Sequence, residues 1–185
     1  RDLHSLRRRQ RQMCIRDRLT DLEELADIII IDTGAGISPS VMEFLLASPE
    51  TIVVTTPEPT SVTDSYALLK ALSMNEGYNK DECTIKIVAN RVESENEGRN
   101  LYEKLNAVVS KFLGIKLEYL GSVPQDSSVR KAVMKQKPVT IVYPASSAAR
   151  HFKRIAADLL GNENDVPENK KGIRSYFKNV FARKM

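Results

Sequence analysis

Four consecutive isoleucines, Ile28 to Ile31, stand between Asp27 and Asp32 and run directly into Thr33-Gly34-Ala35-Gly36-Ile37-Ser38. The run is too short and too uniformly apolar for an amphipathic helix, and it predicts a strand buried on both faces of a parallel sheet. Such a strand needs helices above and below it, so the expected fold is α/β. Asp32 sits at the carboxyl end of that strand, where open α/β sheets bind ligands. The Gly-Ala-Gly that follows lets the backbone approach a ligand without interference from a Cβ. An ordinary strand-to-loop turn, with Asp32 capping the next helix, accounts for the same residues, and both readings stand at this point.

The rest of the chain alternates in the same sense. Ser38-Pro39-Ser40 reads as a helix start before Val41 to Leu46, with proline in the first turn. Thr51 to Thr56 is a second buried strand closed by Pro57-Glu58-Pro59, and Thr60 or Ser61 is expected to cap a helix through Tyr66, Leu68, Leu69 and Leu72. Ile85 to Asn90 is a third strand, residues 93–100 a charged loop, and Leu101 to Phe112 a helix with Leu105, Val108, Val109 and Phe112 at helical spacing. Leu117 to Val123 is a fourth strand, Ser127 to Met134 a short helix, Pro138 to Tyr143 an extended segment and Ser146 to Leu160 a last long helix. Strands alternating with helices predict a doubly wound, mostly parallel sheet with helices on both faces.

Charge divides the chain into three. Seven arginines against two aspartates give residues 1–18 a charge of +5, and six bases with no acid give residues 170–185 a charge of +6. Fifteen bases against 22 acids leave residues 19–169 at −7, so the body is acidic although the net charge is +4. Questions of nucleic acid or membrane therefore belong first to the two ends. The arginine-only usage of residues 1–18 contrasts with the free use of lysine elsewhere. That shift predicts foreign sequence joined to a reading frame, with a natural basic arm as the alternative. Cys14 and Cys83 show no metal or disulfide spacing, and no apolar run nears the roughly 18 residues that span a bilayer. The expectation is a cytoplasmic protein, at most peripheral to a membrane. Residues 19–161 are the expected folded domain, and 162–169 a polar linker. Glu93, Glu95 and Glu97 read as solvated, His151 as structural, and Arg130, Lys131, Lys135 and Lys137 as a solvated helix face or a basic patch.

Four strand ends carry polar or turn residues where such a sheet binds ligands: Asp32-Thr-Gly-Ala-Gly, Thr55-Thr-Pro-Glu-Pro, Asn90-Arg-Val and Val123-Pro-Gln-Asp. An aspartate after an apolar strand is what a phosphate-binding NTPase uses to hold Mg²⁺, and Asn90 has the donor and acceptor pair that reads a purine edge. On these residues the chain resembles the MinD/ParA family of P-loop ATPases, the deviant Walker A group. Within that family it is most similar to the FlhG subgroup, also called YlxH or FleN, of flagellar number and placement regulators.

The resemblance implies ATP and Mg²⁺ as cofactors. It implies that Asp32 is the Walker B aspartate, acting on Mg²⁺ through water, and that Gly34, Ala35 and Gly36 form switch II. Pro57, within Thr56-Pro57-Glu58-Pro59, would lie near a dimer and partner face together with Ser61, Val62 and Asp64. Asn90, Arg91, Pro124, Gln125 and Asp126 would line the adenine. The implied partners are a second copy in an ATP-dependent homodimer, the FlhF-type GTPase, and flagellar switch or C-ring proteins. The family's Lys-Gly-Gly-x-Gly-Lys-Thr loop has no counterpart in the 185 residues. The chain is therefore expected to be the C-terminal part of an ATPase, inactive alone, with apolar sheet surface left uncovered.

The tail supplies a membrane expectation. On a helical wheel Ile173, Tyr176, Phe177, Val180 and Phe181 fall on one face, flanked by Arg174 and Lys178 and preceded by Lys170 and Lys171. That pattern suits an amphipathic helix lying on an anionic membrane surface. A terminal helix docked on its own domain and a disordered basic tail remain as alternatives, and the resemblance extends to the MinD membrane-targeting helix. Three competing functions stay open: a MinD septum-site ATPase, a ParA-type partitioning ATPase, and a non-catalytic interaction module. An acidic body argues against specific nucleic-acid binding.

Overall fold

The computed structural model describes residue 26 and residues 28–160. The basic start, residues 19–25, Asp27, the linker and the basic tail lie outside the described residues. The elements in chain order are α1 (Pro39–Ala47), β1 (Glu50–Thr55), α2 (Pro59–Ser73), β2 (Thr84–Val92), α3 (Glu95–Leu113), β3 (Leu117–Pro124), α4 (Ser127–Met134), α5 (Val139–Val142) and α6 (Ser147–Leu160).

The three strands form one parallel sheet in the order β1-β2-β3. Alternate residues of β2 point to opposite faces. Ile85 and Ile87 join Val53, Leu117, Leu69 and Leu72 of α2, and Leu105 and Val109 of α3 in the main core. Val88, with Val123, packs on the other face against Ala148 and Ile155 of α6. Helices thus cover both faces of a parallel sheet, as the alternation predicts. Close contact of α3 with the sheet depends on Gly98: a Cβ there would lie 2.9 Å from Ser122 Cβ and 3.3 Å from Ala89 Cβ. Near the amino ends of β1 and β2, buried Lys86 pairs with Glu50 Oε2 at 3.1 Å.

Four expectations are corrected. The isoleucine run is not a buried strand: residues 28–32 are irregular, and Ile30 is 87% exposed. β-Branched propensity stabilises a strand only when neighbours meet its backbone and pack its side chains, and this segment adds to neither edge of the three-stranded sheet. β1 is an edge whose alternate residues are uncovered, Val54 being 57% exposed. Second, residues 95–100 are helical. Ser94 Oγ accepts from Glu97 N at 3.2 Å while Glu97 Oε2 accepts from Glu93 N at 2.6 Å, so a cap of the capping-box type, closed one residue before the N-cap, starts α3 ahead of its apolar run. The buried stripe of α3 is Leu101, Leu105 and Val109, whereas Val108 and Phe112 face solvent. Third, α2 begins at Pro59 with Glu58 at the N-cap position, since proline at the first helical position needs no donor. Fourth, Val139 to Val142 form a helical turn instead of an extended segment, with Val142 and Tyr143 N–H groups bonded back to Pro138 and Val139 carbonyls.

Candidate functional site

Parallel register brings the carboxyl ends of the strands level. Thr55 lies opposite Ala89, and Asn90 opposite Val123. At the end of β2 the register slips between Asn90 and Val92, and Arg91 takes a left-handed φ of 58°. A bulge at a strand end re-aims a side chain, and a non-glycine residue held at positive φ is strained by about 1–3 kcal/mol. The re-aimed guanidinium spans the sheet. Its Nε donates to Gln125 Oε1 at 3.1 Å, beyond β3, and its Nη1 meets Glu58 Oε1 at 3.4 Å, beyond β1. Arg91 therefore ties together the ends of all three strands.

Asn90 Oδ1 accepts from Arg91 N at 3.0 Å. Backbone N–H is a donor only, so the amide oxygen is the engaged atom and spends one of its two lone pairs; its second lone pair and the two N–H donors are what Asn90 offers to a ligand. Gln125 is alike, with its oxygen on Arg91 and its own backbone N–H on Val92 O at 2.9 Å. Two carboxamide donors beside an arginine suit a planar base with ring-nitrogen acceptors.

Asp126 is committed differently. Its Oδ1 accepts from Ser128 N at 2.8 Å and its Oδ2 from Ala148 N at 3.0 Å, so one carboxylate starts both α4 and α6. Those backbone donors, Ala148 first, hold its carboxyl below the usual carboxylate range. Pro124 ends β3 and Pro57, half-buried, leads from β1 to Glu58. Ser61, one turn into α2, accepts from Thr56 N at 3.0 Å and shares a 3.1 Å hydrogen bond with the buried Thr55 hydroxyl. Thr56 Oγ1 is buried at this edge without a partner among the described residues.

Asp32, Gly34 and Gly36 stand apart from this cluster. Asp32 is exposed, and a Cβ on Gly34 or Gly36 would meet nothing within 4 Å. Gly36 has φ +99°, which only glycine adopts freely, so the loop conformation itself requires it. Ser38 then caps α1 by accepting from Val41 N at 3.4 Å, with Pro39 in the first turn, as its sequence predicts.

Among the described residues no three His, Cys, Asp or Glu side chains gather as a metal centre. Nor is any helix there long and apolar enough to cross a membrane. Glu95 meets Arg154 and His151 of α6, and the Arg154 hydrogen bond holds its carboxyl low. Burial pushes the Cys83 thiol up, away from a reactive thiolate. Sequence reasoning placed Glu58 in a strand-end segment without a role of its own, and the structure pairs it with Arg91. Its position after a strand end is visible in the sequence, but its pairing with Arg91 is not.

Compared with known proteins, the chain is 39% identical over 158 residues to the antiactivator FleN of Pseudomonas aeruginosa, covering 85% of this chain and 54% of that protein. It is 34% identical over 160 residues to the flagellum site-determining protein YlxH of Helicobacter pylori, covering 84% of this chain and 52% of that protein. The septum site-determining protein MinD of Pyrococcus horikoshii, solved with Mg-ADP, superimposes with a TM-score of 0.59 at 22% identity, over 78% of this chain and 54% of that one. The chain thus spans about half the length of the curated relatives it matches. No protein-family model matches it.

Proposed function

Since the chain belongs with the FleN, YlxH and MinD proteins, over about half of their length, we propose that it is part of an ATP-dependent switch of the FlhG kind, which sets flagellar number and placement. The observation that carries the nucleotide reading is Arg91, bridging Glu58 and Gln125 across the carboxyl ends of all three strands. Ligands bind at that edge in α/β sheets.

The residues present fit the base end of ATP. Asn90 and Gln125 supply amide donors to ring-nitrogen acceptors, and Arg91 and Pro124 flank them. Asp126 holds α4 and α6 in place behind the base, with both of its oxygens already engaged. Asp32 is a single exposed carboxylate, which suits contact with Mg²⁺ through water rather than a full ligand shell. When bound, ATP with Mg²⁺ supplies the γ-phosphate whose hydrolysis resets the switch. Gly34 and Gly36 leave backbone N–H groups free to follow it. No Gly-rich Lys-[Ser/Thr] loop that could cradle the phosphates occurs among the 185 residues. In the same reading two copies close on ATP, and residues 170–185 bring the pair to the anionic inner face of the cell membrane. An FlhF-type GTPase and flagellar C-ring proteins are the partners.

The test is titration of the protein, expressed from its full reading frame, with ATP and with GTP in the presence of Mg²⁺. ATP is expected to bind in preference to GTP, and Asn90→Ala or Arg91→Ala to weaken it about tenfold, the worth of one good hydrogen bond. A protein that binds no nucleotide, or whose ATP affinity is indifferent to both substitutions, refutes the reading.

A further inference from the structure

The acidic body contains one long stretch without an acid. Between Asp126 and Asp158 there are seven Lys and Arg residues and no Asp or Glu, so residues 127–157 carry +7 within a body of −7. The structure gathers four of these bases at one place. Arg130, Lys131, Lys135 and Lys137 are all exposed, on α4 and on the turn that leads to α5.

That place is also apolar. α4 turns Val129 and Ala132 inward, towards the core beneath α6. On its outward side Val133 is 68% exposed and Met134 81%, and Ile141, in the neighbouring α5, is 70% exposed. Arg130 and Met134 are one turn apart and share a face of α4, and the turn that carries Lys135 and Lys137 follows Met134 directly. The turn is well built. Lys135 and Lys137 N–H groups both bond to Ala132 O, at 3.0 and 3.2 Å, Gln136 N donates to Val133 O, and Lys135 Nζ lies 5.2 Å from the centre of the Tyr143 ring. Large apolar side chains held outward among cations, on a rigid turn, differ from an ordinary solvated helix face, which would place polar residues there.

We propose that the α4–α5 turn is a membrane-contacting surface that docks on an anionic bilayer, a second contact besides the basic tail. Four bases complement anionic headgroups, while Val133, Met134 and Ile141 reach the acyl boundary. Nucleic acid would use the charge but leave the three apolar side chains without a role. The surface goes beyond the switch reading and stands without the tail. Two weak contacts on one body bind a membrane far more tightly than either alone, and each stays reversible.

The test is co-sedimentation of the whole protein with vesicles of phosphatidylglycerol and phosphatidylcholine, and with phosphatidylcholine alone. Phe177→Glu with Phe181→Glu disables the tail and isolates the body. This tail-disabled protein is expected to keep salt-sensitive binding to the anionic vesicles only. Adding Lys135→Glu and Lys137→Glu should lower its partitioning at least ~30-fold, from two bases each worth about 1 kcal/mol at an anionic surface. Lys135 and Lys137 are exposed, and folding of every variant is checked by an unchanged melting midpoint.

A second measurement does not depend on loss of binding. The chain has no tryptophan, so Val133→Trp makes a single reporter whose emission should shift to the blue on anionic vesicles. If tail-disabled protein binds anionic vesicles no better than neutral ones, the proposal is wrong. It is equally wrong if the lysine substitutions leave vesicle binding unchanged but abolish retention on duplex DNA. Loss of binding on disabling the tail alone would uphold the tail contact while overturning this one.

Discussion

Replacing Asp126 by alanine removes the acceptor on which two helices begin. Its oxygens accept from Ser128 N at 2.8 Å and from Ala148 N at 3.0 Å, and Ala148 is fully buried. Losing a helix N-cap to alanine costs about 1 kcal/mol, and leaving a buried N–H without a partner costs about 1–3 kcal/mol. The expected loss is therefore roughly 2–4 kcal/mol. With a urea dependence of about 2 kcal/mol per molar, the unfolding midpoint should fall by ~1–2 M.

Asp126→Asn keeps one acceptor oxygen and should recover about half of the loss. The pH dependence has a defined sign. The folded carboxyl is held low, so its contribution is complete above the unfolded value near 3.9 and is lost as pH falls through the lower folded value. The gap between the wild type and Asp126→Asn should thus narrow only in that acid range. A midpoint unchanged by Asp126→Ala, together with a loss of ATP binding, would refute the structural role and make Asp126 a ligand contact.

Ser61→Ala should destabilise the protein by about 1–3 kcal/mol, read as a lower denaturation midpoint, because it strips Thr56 N of its acceptor and the buried Thr55 hydroxyl of its partner. Glu50→Ala should cost about 1–3 kcal/mol by leaving the Lys86 ammonium buried beside a lost partner, whereas Lys86→Met should be near neutral. Equal effects from the two would refute the claim that buried charge is the cause. Gly98→Ala should gain about 1 kcal/mol of helix propensity yet lose about 1–3 kcal/mol to the clash with Ser122 Cβ, for a net loss of up to ~2 kcal/mol in thermal or urea unfolding.

Local signals in the sequence settled much of the architecture. The β-branched runs at Thr51–Thr56 and Ile85–Asn90 and the apolar segment Leu117–Val123 became the three strands because each has its neighbours within the chain. Ser38-Pro39 marked the start of α1, since capping and proline geometry need only adjacent residues. The signature Ser94-x-x-Glu97 was equally local and would have moved the start of α3 forward by two turns. The polar ends of the three strands, at Thr55, Asn90 and Val123, were also legible, because a parallel sheet lines them up along one edge; the fourth expected end, Asp32, follows no strand.

Tertiary structure decided what depends on partners distant along the chain. Ile28 to Ile31 has strand composition, but strand formation needs hydrogen-bonding neighbours on the sheet, and the described residues supply none. Arg91 looks in sequence like one more polar residue. Only the bulge at the end of β2 turns it across to Glu58 and Gln125, 33 and 34 residues away. Asp126 announces a cap for the helix beside it, while its second oxygen, serving Ala148 22 residues on, depends on how α6 returns to the sheet. Val133, Met134 and Ile141 read as ordinary apolar residues until the packing of α4 leaves them outside with the bases. Capping and strand propensity act over a few residues and can be read in order along the chain. Pairing and burial act through space, and they exist only once the chain has folded.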